Sequence, residues 1–522
     1  MHDHTKKPAR PTRRKSVAGR SVTPKGTSRA VRSRAVSAGR SSAQSHADAR
    51  ANPVGPALTR RQLLVGGAGI AVAALVGGGA YALTSAASGG GSSAQAAEGA
   101  LSIPQDAVFT TEQCEYVDDL KGLLTLRTRA SLPFGTTLTS CSESLAVCLV
   151  PTKSADPLLQ VGLLHLGSGN MTTALKASVG AEEGFQIFDA RANGAGLIWL
   201  ESNVLSGDWR VYSTTLDGAA VGEPILAAEG NGSWTLPSLA VSGGFAWWQT
   251  TPKEDGAPPL SCKNGEGEEV SQPALCRIAF GGTQDSAQAS VTSPGGFACA
   301  PVPALGGIAC AQKQSEKSKT WQLIFVSEED GQITDQLTLP STMKPMDVSY
   351  GPNGFGFSFD ALYEFGDGMA NLGTYVPAEE ISLTTATATA DALAALEQQL
   401  SSGQKSNGPT DEDRAKAKAQ GEDAVCELYS SAPWFRFPRA PITSPAFAGN
   451  WLFVKSTNVI AAVDLVEQKY VTIPTESATQ GYGEYLATSG TSDRIVTFAN
   501  VDYTPMSGER INECTVRVWE PA

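Results

Sequence analysis

From about residue 105 onward, apolar positions come in short runs and polar positions in short clusters between them. The runs are rich in aromatic and β-branched residues, and Gly, Pro, Asn or Asp usually bounds them. Representative runs are Gly196–Leu200, Trp209–Ser213, Trp321–Val326 and Trp451–Val454. Runs of this kind are typical of β-strands joined by tight turns, and no long helical period appears before about residue 385. The pattern therefore predicts an all-β fold.

The runs also repeat as a unit. Pro237–Trp248, Pro345–Phe357 and Pro445–Val454 each contain a proline, an apolar run, a glycine turn and a second apolar run. Weaker copies begin near four further positions: Leu138, Phe188, Pro303 and Leu486. Four strands in a unit of roughly 45 residues are the signature of a β-propeller blade, and blades must stack in a ring to cover both of their faces. We predict a seven-bladed β-propeller, with six or eight blades and a pair of β-sandwiches as the alternatives.

Over residues 105–522, this blade pattern resembles secreted β-propeller proteins of the broad WD40-like and TolB-like kind. It points to no specific characterised family, because the chain has no WD dipeptide, no Asp-box and no repeated set of double glycines of the kelch kind. We expect the ends of the chain to meet in one blade, with Gly122–Arg127 as a strand completing the sheet that contains Thr515–Trp519. This closure would bring Cys114 near Cys514.

One segment departs from the strand pattern. Ala390–Leu400 has helical spacing of Leu393, Leu396 and Leu400, and Ser401–Gly421 is predicted to be a flexible surface loop. The predicted organisation is therefore N-terminal blades over 98–384, an insertion over 385–421 and C-terminal blades over 422–522.

The charge is divided along the chain. Residues 1–61 contain 15 Lys/Arg and 2 Asp/Glu, whereas residues 98–522 contain 25 Lys/Arg and 50 Asp/Glu, a net charge of −25. Residues 1–57 have too few large apolar side chains to form a core, so we predict disorder. They are interpreted as an extended cytoplasmic segment of the export signal. The alternative is that translation starts near Val54, so that the residues before it are not part of the protein. Nucleic-acid binding is not expected, because the phosphates would repel the acidic residues 98–522.

Residues 58–97 have the features of an export signal. Thr59, Arg60, Arg61, Leu63 and Leu64 precede an uncharged apolar run that ends at Leu83. The motif resembles the twin-arginine (Tat) signal, which implies export of the folded chain by the Tat translocase to an extracytoplasmic, secreted or cell-surface location. Ala94 and Ala96 fit the small-x-small rule, so we expect cleavage before Ala97. The alternative is an uncleaved helix that anchors the protein in the membrane through residues 63–83.

Nine cysteines lie in the predicted exported part, where an oxidising environment favours disulfides. Proximity in sequence suggests Cys141–Cys148, Cys262–Cys276 and Cys299–Cys310, while an odd count leaves at least one thiol unpaired within the chain. No CxxC motif is present, which excludes zinc ribbons and thioredoxin-type sites.

The same part contains one histidine, His165, inside a predicted strand. Ser-His-Asp and Cys-His catalysis need a histidine base, and imidazole metal sites usually need several, so we expect no metal and no cofactor. Paired-carboxylate catalysis stays open. The acidic loop Glu266–Glu269 suggests either a Ca²⁺ ligand set or, more simply, a solvated loop.

Two groups of residues are candidate binding residues. Aromatic and basic side chains alternate in the segment Trp434, Phe435, Arg436, Phe437 and Arg439. If exposed, they would stack on a sugar or grip an acidic peptide; the alternative is blade packing. Trp248 is the second candidate, because neighbouring Trp247 and Trp248 point to opposite faces of a strand and at most one is expected in the core.

These observations favour an exported cell-envelope propeller that acts as a non-catalytic binding or scaffold module for an envelope protein or glycan. The alternatives are a carboxylate-dependent glycan hydrolase or lyase, with two carboxyl groups about 5–9.5 Å apart, and a membrane-anchored extracytoplasmic sensor.

Overall fold

The structure is a computed structural model that describes residues 100–521 except for short gaps. The gaps are 104, 119, 121–122, 154–156, 219, 361–368, 375–377, 403–408, 438–441, 458, 475–483, 489 and 507. The predicted signal residues Thr59, Arg60, Arg61, Leu63, Leu64, Ala94, Ala96 and Ala97 lie outside the described residues. Within these, the regular structure is mostly β-strand with two α-helices, which confirms the predicted all-β class. Neither described helix is long and apolar enough to cross a membrane.

The strands form seven hydrogen-bonded sheets. Three N-terminal strands precede them: β1 (Val108–Thr110), β2 (Glu115–Tyr116) and β3 (Leu124–Pro133). Sheet 1 contains β4 (Thr137–Cys141), β5 (Leu145–Pro151), β6 (Leu159–His165) and β7 (Met171–Leu175). Sheet 2 contains β8 (Gln186–Ala192), β9 (Gly196–Ser202), β10 (Trp209–Asp217), β11 (Ala220–Val221) and β12 (Ile225–Gly230). Sheet 3 contains β13 (Ser238–Ser242), β14 (Phe245–Thr250), β15 (Leu260–Lys263), β16 (Glu269–Val270), β17 (Ala274–Ala279) and β18 (Gln288–Thr292).

The remaining four sheets follow in chain order. Sheet 4 contains β19 (Val302–Ala304), β20 (Gly307–Gln312), β21 (Trp321–Ser327) and β22 (Ile333–Leu339). Sheet 5 contains β23 (Lys344–Gly351), β24 (Gly354–Asp360), β25 (Met369–Thr374) and β26 (Trp434–Phe437), and helices α1 (Ala378–Ser402) and α2 (Asp411–Ser431) lie between β25 and β26 in the chain. Sheet 6 contains β27 (Ala446–Ala448), β28 (Trp451–Lys455), β29 (Ile460–Asp464) and β30 (Lys469–Ile473). Sheet 7 contains β31 (Tyr485–Leu486), β32 (Ile495–Tyr503) and β33 (Ile511–Pro521).

The sheets pack face to face in a closed ring. Seven apolar clusters each lie between two successive sheets, and one of them joins sheet 7 back to sheet 1. The first strands of neighbouring sheets touch one another, so β4, β8, β13, β19, β23 and β27 lie innermost. Both faces of a sheet are therefore covered, which is why every residue of β9 is buried. Radial stacking of this kind defines a β-propeller and excludes a pair of sandwiches.

The N-terminal strands form a strap along the outer edges of four sheets. Leu101 donates its N–H to Thr338 of sheet 4, at 2.7 Å. Next, β1 pairs with β26, β2 pairs with β30 and β3 pairs with β33. The strap thus supplies the outermost strand of sheet 7 before the chain enters sheet 1. The predicted mixing of the chain ends in one sheet is confirmed.

The insertion differs from the prediction in one part. Ala390–Leu400 lies in helix α1, as predicted. Most of the predicted loop over 401–421 is wrong, because helix α2 begins at Asp411. A capping box explains the helix start: Thr410 accepts the N–H of Asp413, and the Asp413 carboxylate accepts the N–H of Thr410. The apolar side of α2 then packs on the ring through Val425, Cys426 and Tyr429.

Candidate functional site: the front face of the ring

The connections divide the ring into two faces. Each sheet begins with its inner strand, and successive strands within it are mostly antiparallel neighbours. All inner strands therefore run in the same direction across the ring. We call the side where they begin the front face. It carries the loops between second and third strands and the loops between sheets, and the rear face carries the other turns and the helix pair.

Exposed apolar side chains are concentrated on the front face. Among the described residues, fifteen large apolar side chains are exposed. Eleven of them lie at this face, on its loops or adjoining strand ends: Phe134, Leu158, Val179, Phe188, Val204, Leu205, Leu236, Met346, Ile442, Tyr503 and Met506. The remaining four are Leu126, Leu305, Leu383 and Val466. A concentration of exposed apolar side chains on one side of a molecule makes that side the candidate interaction surface.

Two of these side chains owe their exposure to β-bulges near the starts of inner strands. The pairing of β8 with β9 shifts between Ile187 and Asp189, and the pairing of β23 with β24 shifts between Pro345 and Asp347. The extra residues are Phe188 and Met346, whose exposed fractions are 54% and 40%. A bulge redirects a side chain away from the regular alternation. The bulges thus present apolar groups at the front of the ring.

The most exposed apolar pair belongs to the hairpin between β9 and β10, residues 203–208. Val204 and Leu205 are 82% and 98% exposed. Asn203 fixes this turn, because its Oδ1 accepts the N–H groups of Leu205 and Ser206. Its Nδ2 also donates to the carbonyl of Glu183, which ties the hairpin to the preceding inter-sheet loop. The structure holds both apolar side chains in solvent on an ordered turn.

Beside this hairpin lies a cavity of about 480 Å³, which we call the rim cavity. Its lining includes Glu183, Phe185, Asp208, Arg210 and Glu229. The Arg210 guanidinium lies 4.3 Å from the centroid of the Phe185 ring, donates to Glu183 Oε2 at 2.7 Å and lies 3.8 Å from Glu229 Oε2. The hydrogen bond from Arg210 lowers the pKa of the Glu183 carboxyl and the same bond raises the pKa of Arg210. Both groups therefore stay charged near neutral pH.

The inner strands do not offer a pair of adjacent carboxylates. The described inner strands contain two acidic residues, Asp189 in sheet 2 and Asp347 in sheet 5, which are three sheets apart. Asp189 forms an ion pair with Arg191, and Asp347 accepts hydrogen bonds from Ser358 and Ser444 at 2.9 and 2.8 Å. Both carboxylates therefore bind neighbouring side chains of the ring itself. Glycosidase chemistry would need two of them a few ångströms apart.

Buried charged groups near the front face stabilise the fold. Arg517 donates to both carboxylate oxygens of Glu484, and both side chains are almost fully buried. Nearby, Lys455 is fully buried and donates to the carbonyl groups of Ser456 and Thr457 at 2.6 and 3.0 Å. Burial lowers the pKa of Lys455 to about 8. A protein interior tolerates a buried charge when that charge is paired or hydrogen-bonded, as these are.

Most of the aromatic residues predicted to bind a ligand lie in the core. Trp434, Phe435 and Phe437 are at most 2% exposed, and Trp434 donates its indole N–H to Tyr429. Their predicted binding role is therefore wrong, and blade packing explains them. Arg436 is half-buried in the same strand, and Arg439 lies outside the described residues.

Trp248 also fails as a binding residue, because both tryptophans of the pair are fully buried. Trp247 packs between sheets 3 and 4, and Trp248 packs between sheets 2 and 3. The prediction that at most one of them is in the core overlooked that a propeller sheet has no solvent-facing side.

The cysteine predictions were partly correct. Cys262–Cys276 is a disulfide within sheet 3, as predicted. The predicted bonds Cys141–Cys148 and Cys299–Cys310 are wrong for this structure, since Cys148, Cys299 and Cys310 are thiols. Cys114 and Cys514 lie in different inter-sheet clusters, so their predicted proximity is also wrong. Burial raises the pKa of Cys148 to about 12, which leaves this thiol protonated and unreactive.

The remaining candidates behave as structural residues. His165 lies in a strand, as predicted, and is the last residue of β6. Glu266 and Glu268 lie in an exposed turn, where their N–H groups bond to Asn264 Oδ1. The part of the chain that the structure describes contains no group of three or more His, Cys, Asp or Glu residues placed to hold a metal ion.

Comparison with known proteins identifies no family for this chain. No protein-family model matches the sequence, and no curated protein matches it. Solved structures with distant similarity to this chain include one from a study of two prolyl endopeptidases, with a TM-score of 0.42 and 9% identity, covering 74% of this chain and 50% of that one. Another is a post-proline cleaving enzyme from Rickettsia typhi, with a TM-score of 0.40 and 7% identity over 73% of this chain and 52% of that one. The chain spans about half the length of these proteins.

Proposed function

We propose that this protein is an exported cell-envelope β-propeller, in which each of the seven sheets is one blade, and that it binds a partner protein through its front face. The observation that supports the proposal is the one-sided distribution of exposed apolar side chains. Export is supported by the Tat-like motif around Arg60 and Arg61. The protein acts as a non-catalytic binding or scaffold module.

The chemistry of the front face favours a protein over a glycan or a membrane. Its exposed apolar groups are mostly aliphatic or methionine, whereas sugar binding relies on exposed aromatic faces. The net charge of −25 over residues 98–522 opposes contact with anionic lipid. Aliphatic and methionine side chains adapt well to the apolar core of a protein interface.

A capture experiment with matched variants tests the proposal. The purified body, residues 97–522, is immobilised as wild type, as Leu205→Asp with Met506→Asp, and as Leu305→Asp. Leu305 is 76% exposed in a rear-face turn, so its substitution introduces a charge without touching the front face. We expect wild type and the Leu305 variant to retain the same envelope protein, and the front-face variant to lose it.

Two results would contradict this function. Equal capture by all three forms would exclude the front face as the binding surface. Hydrolysis of an envelope glycan by the purified body would favour the carboxylate-dependent enzyme instead.

A further inference from the structure

The rim cavity contains more negative than positive charge. Glu183, Asp208 and Glu229 line it with Arg210, so four charged side chains give a net charge of −2. Glu183 and Glu229 are about 60% and 57% exposed at their side chains, whereas Arg210 is 22% exposed. The carboxylates therefore face the solvent, and the guanidinium lies beneath them. A volume of 480 Å³ is within the range of pockets that accept a side chain or small ligand.

Arg210 shows how a cation is held at this place. Its guanidinium lies over the Phe185 ring while a carboxylate accepts its hydrogen bond. Aromatic support combined with carboxylates is a favourable environment for a guanidinium or an ammonium group. Because Arg210 brings one positive charge against three carboxylates, the net charge of −2 attracts a second cation.

We propose that the rim cavity binds an arginine or lysine side chain of an extended partner segment, whose neighbouring apolar residues contact Val204 and Leu205. This inference rests on the proposed function and names the partner's chemistry. An anionic ligand would be repelled by the carboxylates. A sugar would find no ring to stack on, because Phe185, Trp209 and Trp234 are at most 5% exposed.

The test uses two fluorescent nonapeptides, each with one central residue flanked by leucine and serine. The central residue is arginine in one peptide and citrulline, its neutral isostere, in the other. We expect the body to bind the arginine peptide roughly 10- to 100-fold more tightly, the range that corresponds to one charge-assisted hydrogen bond. Equal affinity for the two peptides would overturn the proposal.

Charge variants separate the cavity from the general attraction of an acidic protein. Asp208→Asn and Glu229→Gln should each weaken binding of the arginine peptide about tenfold. Glu467→Gln is the matched control, because Glu467 is 60% exposed on the rear face and pairs with Lys469. Equal weakening by the control would show long-range attraction and overturn the assignment to the cavity.

The apolar contact has its own readout. Leu205→Ser should weaken both peptides by a similar factor, and Leu305→Ser should change neither. If envelope capture depends on Leu205 while the two peptides bind equally, the front-face function stands and the cation site falls. If the arginine peptide binds selectively but capture is insensitive to Leu205, the cation site stands and the proposed function falls.

Discussion

At the scale of single residues, Asp335 is the carboxyl group whose ionisation the fold opposes most clearly. It lies in β22 and is almost fully buried, and its Oδ2 accepts hydrogen bonds from Tyr350 at 3.0 Å and from Tyr429 of helix α2 at 2.6 Å. Its Oδ1 has no partner among the described residues. Burial raises its pKa from the ordinary 3.8 to about 6, although the two tyrosines lower it. One carboxyl group thus links helix α2 to the ring.

The raised pKa predicts a pH-dependent stability. Because the folded state binds the proton more tightly than the unfolded state does, the stabilisation is complete below about pH 4 and is lost as the pH rises through about 6. The difference between the pKa of Asp335 in the folded and unfolded states corresponds to a loss of roughly 3 kcal/mol in the free energy of unfolding at pH 7. We expect Asp335→Asn to gain free energy of unfolding relative to wild type as the pH rises from 4 to 7, measured by urea unfolding.

Asp502→Asn is the control for this prediction. A hydrogen bond from Arg510 lowers the pKa of Asp502, so its contribution is lost as the pH falls. This loss occurs at and below the ordinary pKa of 3.8, so the difference between Asp502→Asn and wild type should stay nearly constant from pH 4 to 7. A difference between Asp335→Asn and wild type that stays constant from pH 4 to 7 would contradict the interpretation.

The Cys262–Cys276 disulfide gives a second prediction at this scale. It closes a segment with a sequence separation of 14, which contains β16 and the acidic turn. Closing a loop of this length restricts the unfolded chain and is worth about 3 kcal/mol. The double variant Cys262→Ala with Cys276→Ala should lose about that much in denaturant unfolding. Wild type measured in a reducing agent should match it, and no change in either case would contradict a stabilising role.

At the scale of elements, the strap couples the N-terminal segment to the stability of the whole ring. Strand β3 contributes Leu124 to the core between sheets 6 and 7, and Leu132 to the core between sheets 7 and 1. Its pairing with β33 joins the N-terminal part of the chain to the C-terminal strands within sheet 7. The strap also covers the outer edges of sheets 5, 6 and 7, which protects them from pairing with other chains.

The strap predicts a large effect from a small change near the start of the folded part. Leu132→Ala should reduce the free energy of unfolding by about 2–5 kcal/mol, the range for a buried leucine. Leu126→Ala in the same strand is the matched control, because Leu126 is 43% exposed and should cost less than about 1 kcal/mol. Denaturant unfolding distinguishes the two. Equal effects would mean that the strap does not close the ring.

Sequence patterns were sufficient to predict most strands but not helix α2. Apolar runs between turn residues identified strands, since β9 and β21 match the runs that begin at Gly196 and Trp321. Helix α2 was missed because it has few apolar residues before Val425, and its stability comes from a capping box and from packing on the ring. The signal was present in Thr410 and Asp413, which have the spacing of that motif.

At the scale of the whole molecule, the ring separates two surfaces. The front face carries most of the exposed apolar groups and the rim cavity. The rear-face turns contain many carboxylates, among them Asp217, Asp285, Glu329 and Asp330. A partner bound at the front would therefore leave an acidic surface exposed, which favours solubility of the complex.

Export is the prediction that belongs to the whole chain. Replacing Arg60 and Arg61 together with lysine keeps the charge but removes the twin-arginine pair, and it should abolish export of the folded protein. Cell fractionation with an antibody to the body measures this. Arg50→Lys, outside the motif, should leave export unchanged. Unimpaired export of the twin-lysine variant would contradict Tat recognition.

The sequence by itself determined the class of the fold and the meeting of the chain ends. Each of these depends on local strand and turn chemistry or on a repeat that can be counted along the chain. The tertiary structure alone decided which side chains are exposed, because a propeller sheet is covered on both faces by its neighbours. It therefore buried the tryptophans that were predicted to bind a ligand, separated most of the cysteines and brought loops from distant sheets together on one face.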